Sequence, residues 1–232
     1  NAALGDWSVS ASHMEQAKAL FAEWNTLLDE HQAPTNAPVP TYAQVVAKVN
    51  AAAGENDHML TAAGGLPGEV AKGWRVKNPN TFDLEFGFSC MGYEVAGGWG
   101  NAMAGNGERE VFVMVGDGSY MMMNSDIYSS VLTGHKMIVV VCDNGGFAVI
   151  NRLQVNTGGE EFNNLLRTAR HERYFHVDFA KHAEAMGALT EKVERLEDLP
   201  AAFARAKAAD RSYAIVIDID EYPWTEGAAS WE

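Results

Sequence analysis

Basic residues are scarce in this chain. Its 232 residues include 17 Lys and Arg against 31 Asp and Glu, a formal net charge of −14 at pH 7. A nucleic-acid surface needs a basic patch to meet phosphates, so no nucleic-acid partner is expected. Cysteine is scarcer: Cys90 and Cys142 are the only two, and neither has a CxxC partner. Both stand in apolar stretches of sequence, so the expectation is a pair of buried, reduced thiols in a cytoplasmic protein. No apolar run reaches the roughly 18 residues that a membrane helix needs, and no signal-peptide pattern opens the chain. Neither membrane association nor secretion is expected. G-x-G-x-x-G does not follow the first candidate strand, which disfavours a nucleotide-binding Rossmann domain. Internal repeats and low-complexity tracts are lacking too. The first residue is Asn1 rather than Met and the last segment is a mixed one containing Trp, so both ends read as cut from a longer polypeptide.

What is present is ordinary globular composition, with 47% hydrophobic residues and length for one full α/β core. Residues 10–31 carry Met14, Ala17, Leu20, Phe21, Trp24, Leu27 and Leu28 at three- and four-residue steps, the period of a helix. Ala33 to Pro40 holds three prolines and reads as a linker. Residues 1–40 are therefore expected to be an inter-domain helix and linker, and 41–232 a domain. Thr41 is placed to cap a helix bearing Val45, Val46 and Val49. After Gly54, short apolar strands alternate with helical stretches. The strands are expected at His58–Ala63, Phe82–Phe86, Val111–Val115, Met137–Cys142, Ala188–Lys192 and Tyr213–Asp218. Helices are expected at Gly68–Trp74, Met91–Ala104, Met123–Thr133, Asp178–Met186 and Leu196–Ala208. Val111–Val115 and Ile138–Val141 are continuous apolar runs, as in strands buried on both faces. The rhythm predicts an α/β fold, a doubly wound and mostly parallel sheet with helices on both faces.

In such a sheet, ligands sit at the carboxyl ends of the strands. Two strands end in chemically pointed sequences, Gly116-Asp117-Gly118-Ser119 and Asp143-Asn144-Gly145-Gly146. The first puts a carboxylate on a glycine turn just before a helix, where free N–H groups can meet an anion. A carboxylate beside a phosphate site is repulsive unless a cation lies between them. Mg²⁺ or Ca²⁺ suits that place because both take oxygen ligands. Asn144 follows Asp117 by 27 positions, one strand–helix–strand unit, so it can offer its amide oxygen from the next strand end. The glycines behind it let the carbonyl of Gly146 turn to the same ion. Either turn alone is common and carries little meaning; together, on successive strands, they predict a metal held by Asp117, Asn144 and Gly146.

Gly-Asp-Gly, 25 residues and then Asn resembles the signature of thiamine-diphosphate enzymes of the acetolactate synthase and pyruvate decarboxylase type. That family has two asparagines in a row at the second site, whereas this chain has Asp143-Asn144 and keeps only the second, the family's metal ligand. Phe86-Gly87-Phe88-Ser89-Cys90-Met91-Gly92-Tyr93 resembles the family segment whose large apolar side chain props the cofactor in a bent shape; Met91 falls at that position. Thr61-Ala62-Ala63-Gly64-Gly65-Leu66-Pro67-Gly68 resembles the glycine turn that approaches the diphosphate. The resemblance thus implies thiamine diphosphate and Mg²⁺ as cofactors, with Gly64, Gly65, Leu66, Met91, Gly116, Asp117, Gly118, Ser119, Asn144 and Gly146 around them.

Within the family the chain resembles the trihydroxycyclohexanedione hydrolases of myo-inositol catabolism, through Pro40-Thr41-Tyr42-Ala43-Gln44-Val45-Val46, the Gly64 turn, Gly116–Ser125 and Gly145–Asn151. This implies hydrolytic cleavage of the carbon–carbon bond of a cyclic 1,2-dione to an open-chain deoxyglucuronate. Asn151, Arg152 and Gln154 are candidates for the substrate hydroxyls. The resemblance places the activating glutamate in a separate pyrimidine-binding domain, contributed across a subunit interface of a homodimer or homotetramer; residues 1–40 have no room for such a domain. The chain alone is therefore expected to be catalytically incomplete. Another enzyme of the family, such as an acetolactate synthase or 2-oxoacid decarboxylase, and a non-catalytic binding or assembly domain remain as alternatives.

Overall fold

The computed structural model describes residues 3 and 5–225; the end of the chain from Glu226, including Trp231, lies outside the described residues. Helix α1 (Ala11–Gln32) is capped by Ser10, whose side chain accepts the His13 N–H. Little of its apolar stripe is covered: Leu28 is buried, but Leu20 and Phe21 are 59% and 69% exposed. Helix α2 (Tyr42–Ala52) starts with a capping box. The Thr41 hydroxyl accepts the Gln44 N–H, and the Gln44 side chain accepts the Thr41 N–H.

All six expected strands form, with ends moved by up to two residues. They are β1 (His58–Thr61), β2 (Phe82–Leu84), β3 (Val111–Gly116), β4 (Ile138–Asp143), β5 (Leu189–Val193) and β6 (Tyr213–Asp218). One sheet results, in the order β2-β1-β3-β4-β6-β5, with every neighbouring pair parallel. The helices between them are α3 (Gly65–Gly73), α4 (Tyr93–Gly105), α5 (Asp117–Met122), α6 (Asp126–Thr133), α7 (Ala148–Asn156), α8 (Phe179–Ala185) and α9 (Leu199–Ala208).

Alternation along the strands divides the core into two layers. Phe112, Met114, Ile138, Val140 and Ile215 pack with Val46 and Val49 of α2, Leu66 and Val70 of α3, and Leu199 and Phe203 of α9. Val113, Val115, Val139, Val141 and Val216 pack with Val95 of α4, Tyr120 of α5, Ile127 of α6 and Phe179 of α8. The central strands are apolar throughout because both of their faces are covered.

Four expectations need correction. The helix predicted over Met123–Thr133 starts later, as α6 at Asp126, and a helix that was not predicted, α5, precedes it: the chain turns helical at Asp117, straight off β3, and α5 ends at Met122, ahead of Met123 at φ −147°. An acidic residue in a first turn suits the free N–H groups there. Helix α7 was not predicted; it buries only Ala148 and Asn151, too little for an apolar period to show. Met91 precedes α4 instead of starting it, since Gly92 between them is left-handed at φ 93°. Cys90 is exposed while Cys142 is buried, and both thiols are free. Cys90 lies in the loop after β2, whose backbone is tied down by Glu85 accepting the Phe88 and Cys90 N–H groups.

Candidate functional site

β3 and β4 are sheet neighbours, paired so that Gly116 lies opposite Cys142. Their endings therefore emerge side by side, and the Asn144 N–H donates to Asp117 Oδ1 at 3.3 Å. Asp117 is 4% exposed. Burial first, and then the neighbouring Asp143 carboxylate, push its pKa from 3.8 up to about 7, against the pull of backbone hydrogen bonds from Asn144 and Gly146. This is a carboxylate short of a counter-charge. Beside it, Asn144 Oδ1 is buried with no hydrogen-bond partner among the described residues, while Asn144 Nδ2 donates to the Tyr42 hydroxyl. A buried carboxylate and an orphaned amide oxygen fit a hard, oxygen-seeking cation. No cluster of three or more His, Cys, Asp or Glu suited to a metal occurs among the described residues, so a metal ion here depends on amide and main-chain oxygens as well.

The turn after β4 is pinned from outside. Phe147 N–H donates to the Asn164 carbonyl and Leu166 N–H to the Gly145 carbonyl, both at 2.8 Å. Gly146 sits at φ 143°, and a Cβ there would lie 2.5 Å from the Asn164 carbonyl oxygen, so only glycine fits. A Cβ on Gly118 would lie 3.5 Å from the Gly146 carbonyl oxygen and 2.7 Å from the Phe147 ring. The Gly146 carbonyl thus faces the Asp117 turn.

These endings open on a cavity of about 300 Å³. Gly64, Gly65, Leu66, Met91, Gly116, Asp117, Gly118, Ser119, Asn144 and Gly146, singled out from the sequence, all line it. Tyr42, Phe86, Ser89 and the Phe147–Ile150 segment line it too; sequence reasoning had not assigned them to the site.

A buried carboxylate also went unnoticed. Glu94 in α4 is fully buried. Its Oε1 accepts the Ala63 N–H at 3.1 Å, and its Oε2 accepts the Gly92 N–H at 3.0 Å and the Ser119 hydroxyl at 2.7 Å. Burial raises its pKa while these donors hold it down. Glu94 therefore joins three of the segments that line the cavity, and it occupies the Ser119 hydroxyl. The available signal was a lone acid within the otherwise small and apolar run Tyr93–Gly105.

Residues 62–219 match the family described as thiamine pyrophosphate enzyme, C-terminal TPP binding domain. The chain belongs to this family. Its curated relatives include the 3D-(3,5/4)-trihydroxycyclohexane-1,2-dione hydrolase of Bacillus licheniformis, 36% identical over 88% of this chain and 32% of the relative. The enzyme of that name from Halalkalibacterium halodurans is 40% identical over 75% of this chain and 27% of the relative. The chain thus spans about a third of the length of the curated relatives it matches. Among solved structures, benzoylformate decarboxylase from Polynucleobacter necessarius and a thiamine diphosphate-dependent 4-hydroxybenzoylformate decarboxylase from Rhodococcus jostii superpose with a TM-score of 0.68. Each is 20% identical over 82% of this chain and 34% of its own, a likeness of fold.

Against the two asparagines of the thiamine pyrophosphate enzymes, Asp143 is a departure that the structure accommodates. Its Oδ1 accepts the Gly145 N–H at 3.1 Å and its Oδ2 pairs with His176 Nε2 at 2.7 Å, so it closes the turn rather than entering the cavity. Asn151, Arg152 and Gln154 are not brought to the cavity. They lie on α7, which turns Ala148, Val149, Ile150 and Leu153 toward it. Asn151 Nδ2 donates to Glu161, Arg152 stacks 4.3 Å from the Trp224 ring centre, and Gln154 bonds Asn164. Among the described residues, no helix is long and apolar enough to cross a membrane.

Proposed function

We propose that this chain is the diphosphate- and Mg²⁺-binding portion of a thiamine-diphosphate-dependent hydrolase. The reaction is cleavage of the carbon–carbon bond of trihydroxycyclohexane-1,2-dione to 5-deoxyglucuronate in inositol catabolism. One observation carries the cofactor half of this reading: the under-neutralised Asp117 carboxylate and the orphaned Asn144 Oδ1 lie together on a single cavity. The names of the relatives support the substrate half.

Asp117, Asn144 Oδ1 and the Gly146 carbonyl would hold the cation, and the cation would neutralise the diphosphate. Gly64, Gly65 and Leu66 stand at the start of α3, where glycine lets the backbone approach and main-chain N–H groups are free to meet phosphate oxygens. Gly116, Gly118 and Ser119 form the opposite wall, where the missing Cβ of Gly118 leaves room beside Phe147. Met91, reaching the same cavity from the loop before α4, would pack an apolar side chain against the bound cofactor. Bound thiamine diphosphate supplies the electron sink for the bond cleavage, and the protein supplies orientation and electrostatics. The activating glutamate comes from a pyrimidine-binding domain of the whole protein or of a second subunit, in a homodimer or homotetramer.

Calorimetry tests the first half: the intact protein binds thiamine diphosphate with Mg²⁺ and loses most of that affinity in EDTA. Affinity indifferent to EDTA overturns the metal site. Turnover tests the second half: the intact protein opens the cyclic dione and leaves pyruvate untouched. Activity on pyruvate alone replaces the hydrolase with an acetolactate synthase or decarboxylase.

A further inference from the structure

Tyr42 stands 102 positions from Asn144 in the chain and outside the 62–219 span of the family match. Its hydroxyl nevertheless accepts the Asn144 Nδ2–H inside the cavity wall. We infer that Tyr42 is a positioning residue that turns the oxygen of the Asn144 amide, rather than its nitrogen, toward the cation. The inference deepens the proposed function and rests on it.

The two ends of an asparagine amide are alike in shape and opposite in polarity. The terminal torsion of the side chain is broad and roughly two-fold, so shape alone does not choose between them. A cation accepts only the oxygen; the NH₂ end would face it with two positive hydrogens. The Asn144 main chain is fixed by its N–H bond to Asp117, but that bond leaves the side-chain amide free to turn over. Tyr42 breaks the symmetry by engaging the nitrogen, and the oxygen is the atom left buried and unpartnered among the described residues.

The hydroxyl is itself firmly held. Tyr42 is buried, and its ring edge lies 3.7 Å from where a Cβ on Gly65 would stand. The start of α2 is fastened by the Thr41 capping box and by the Asp220 N–H donating to the Pro40 carbonyl at 2.9 Å. A residue from the segment ahead of the family core thus sets the donor set of a site at the far strand ends.

The test is Tyr42→Phe in the intact protein, which removes the acceptor oxygen and keeps the ring against Gly65. Mg²⁺ is titrated at fixed thiamine diphosphate, and binding is read by calorimetry. The Mg²⁺ concentration for half-maximal binding should rise about tenfold, the scale of one net hydrogen bond. Residual binding in EDTA should stay the same, and so should the melting temperature to within a few degrees. A residue with only a structural role would instead lower the melting temperature and weaken binding with and without metal alike. In an Asn144→Asp background, where either carboxyl oxygen serves the cation, the Tyr42→Phe effect should shrink. An unchanged Mg²⁺ requirement in Tyr42→Phe, with wild type still metal-dependent, overturns the role of Tyr42 alone. Wild type without metal dependence overturns the proposed function beneath it.

Discussion

Asp117 is the residue on which the site's electrostatics turn, and its charge has a predictable cost when no metal is bound. The folded carboxyl keeps its proton up to about 7, whereas its ordinary value is 3.8. Between those values the folded chain holds a proton that the unfolded chain has released. Stability of the metal-free protein therefore falls as pH rises through that window, by at most about 4 kcal/mol. Asp117→Asn removes the charge while keeping the shape. Without metal, the variant should melt above wild type at one pH unit beyond the upper value, and the advantage should vanish near the lower one. Added Mg²⁺ and thiamine diphosphate should raise the wild-type melting temperature and leave the variant's unmoved. A variant that melts below wild type under the alkaline, metal-free condition would show that Asp117 is not an unpaired charge.

At this scale the sequence was unevenly legible. Asp117 and Asn144 could be found because each sits at the end of an apolar strand beside glycines, and because their spacing is one strand–helix–strand unit. Tyr42 and Glu94 could not. Their partners are 102 and up to 31 positions away, and nothing local in a tyrosine on a capped helix, or in one glutamate among small residues, announces a partner of that kind. Asn151, Arg152 and Gln154 misled for the converse reason. Nearness in sequence to the Asn144 turn does not carry a helical residue to the same face.

Among the elements, β1, α4 and α5 owe their relative placement at the cavity partly to Glu94, which holds the backbone after β1, the turn before α4 and the first turn of α5. Removing one carboxylate strands the Ala63 N–H and the Ser119 hydroxyl in a buried place, while the Gly92 N–H keeps the Ser119 oxygen at 2.7 Å. Glu94→Ala should lower the unfolding free energy by about 3 kcal/mol, on the scale of buried donors left without an acceptor. Urea denaturation of the metal-free protein measures it, and a loss within about 0.5 kcal/mol, the usual range for surface substitutions, would remove the clamp from the account. The elements themselves were most readable where burial was two-sided, as in the continuous apolar runs of β3 and β4. The part-exposed β2 and β5 were anticipated from the alternation of strands and helices instead. Helix α5 was not anticipated, because its six residues, Asp117–Met122, are too few to show a helical period. The single-sided burial of α7 left no period to read.

For the whole molecule, the question is what lies against the cavity mouth. Phe88 is 91% exposed, and Met121, Met122 and Met123 are about half exposed. Met123 packs against Gly92, beside the loop that carries Phe88 and Met91, and Met121 and Met122 end the helix whose first turn lines the cavity. Exposed apolar groups of this size, on segments that also line a binding cavity, mark a surface suited to being covered. If the proposed function holds, the pyrimidine-binding domain would supply the cover, since it would have to approach that mouth to deliver a glutamate to the cofactor. The isolated 232-residue chain is then expected to open no cyclic dione, while the intact protein does. Thioether oxidation gives a readout independent of turnover. Dilute peroxide converts accessible methionines to sulfoxides according to their exposure. Met121, Met122 and Met123 should oxidise at least several-fold faster in the isolated chain than in the intact protein, as followed by peptide mass spectrometry. Met59 and Met114, buried in the sheet core, should resist in both and so report that the isolated chain is folded. Equal rates for the three exposed methionines, with the core pair protected, would mean that the cavity mouth stays open in the whole protein and that the missing glutamate must arrive by another approach.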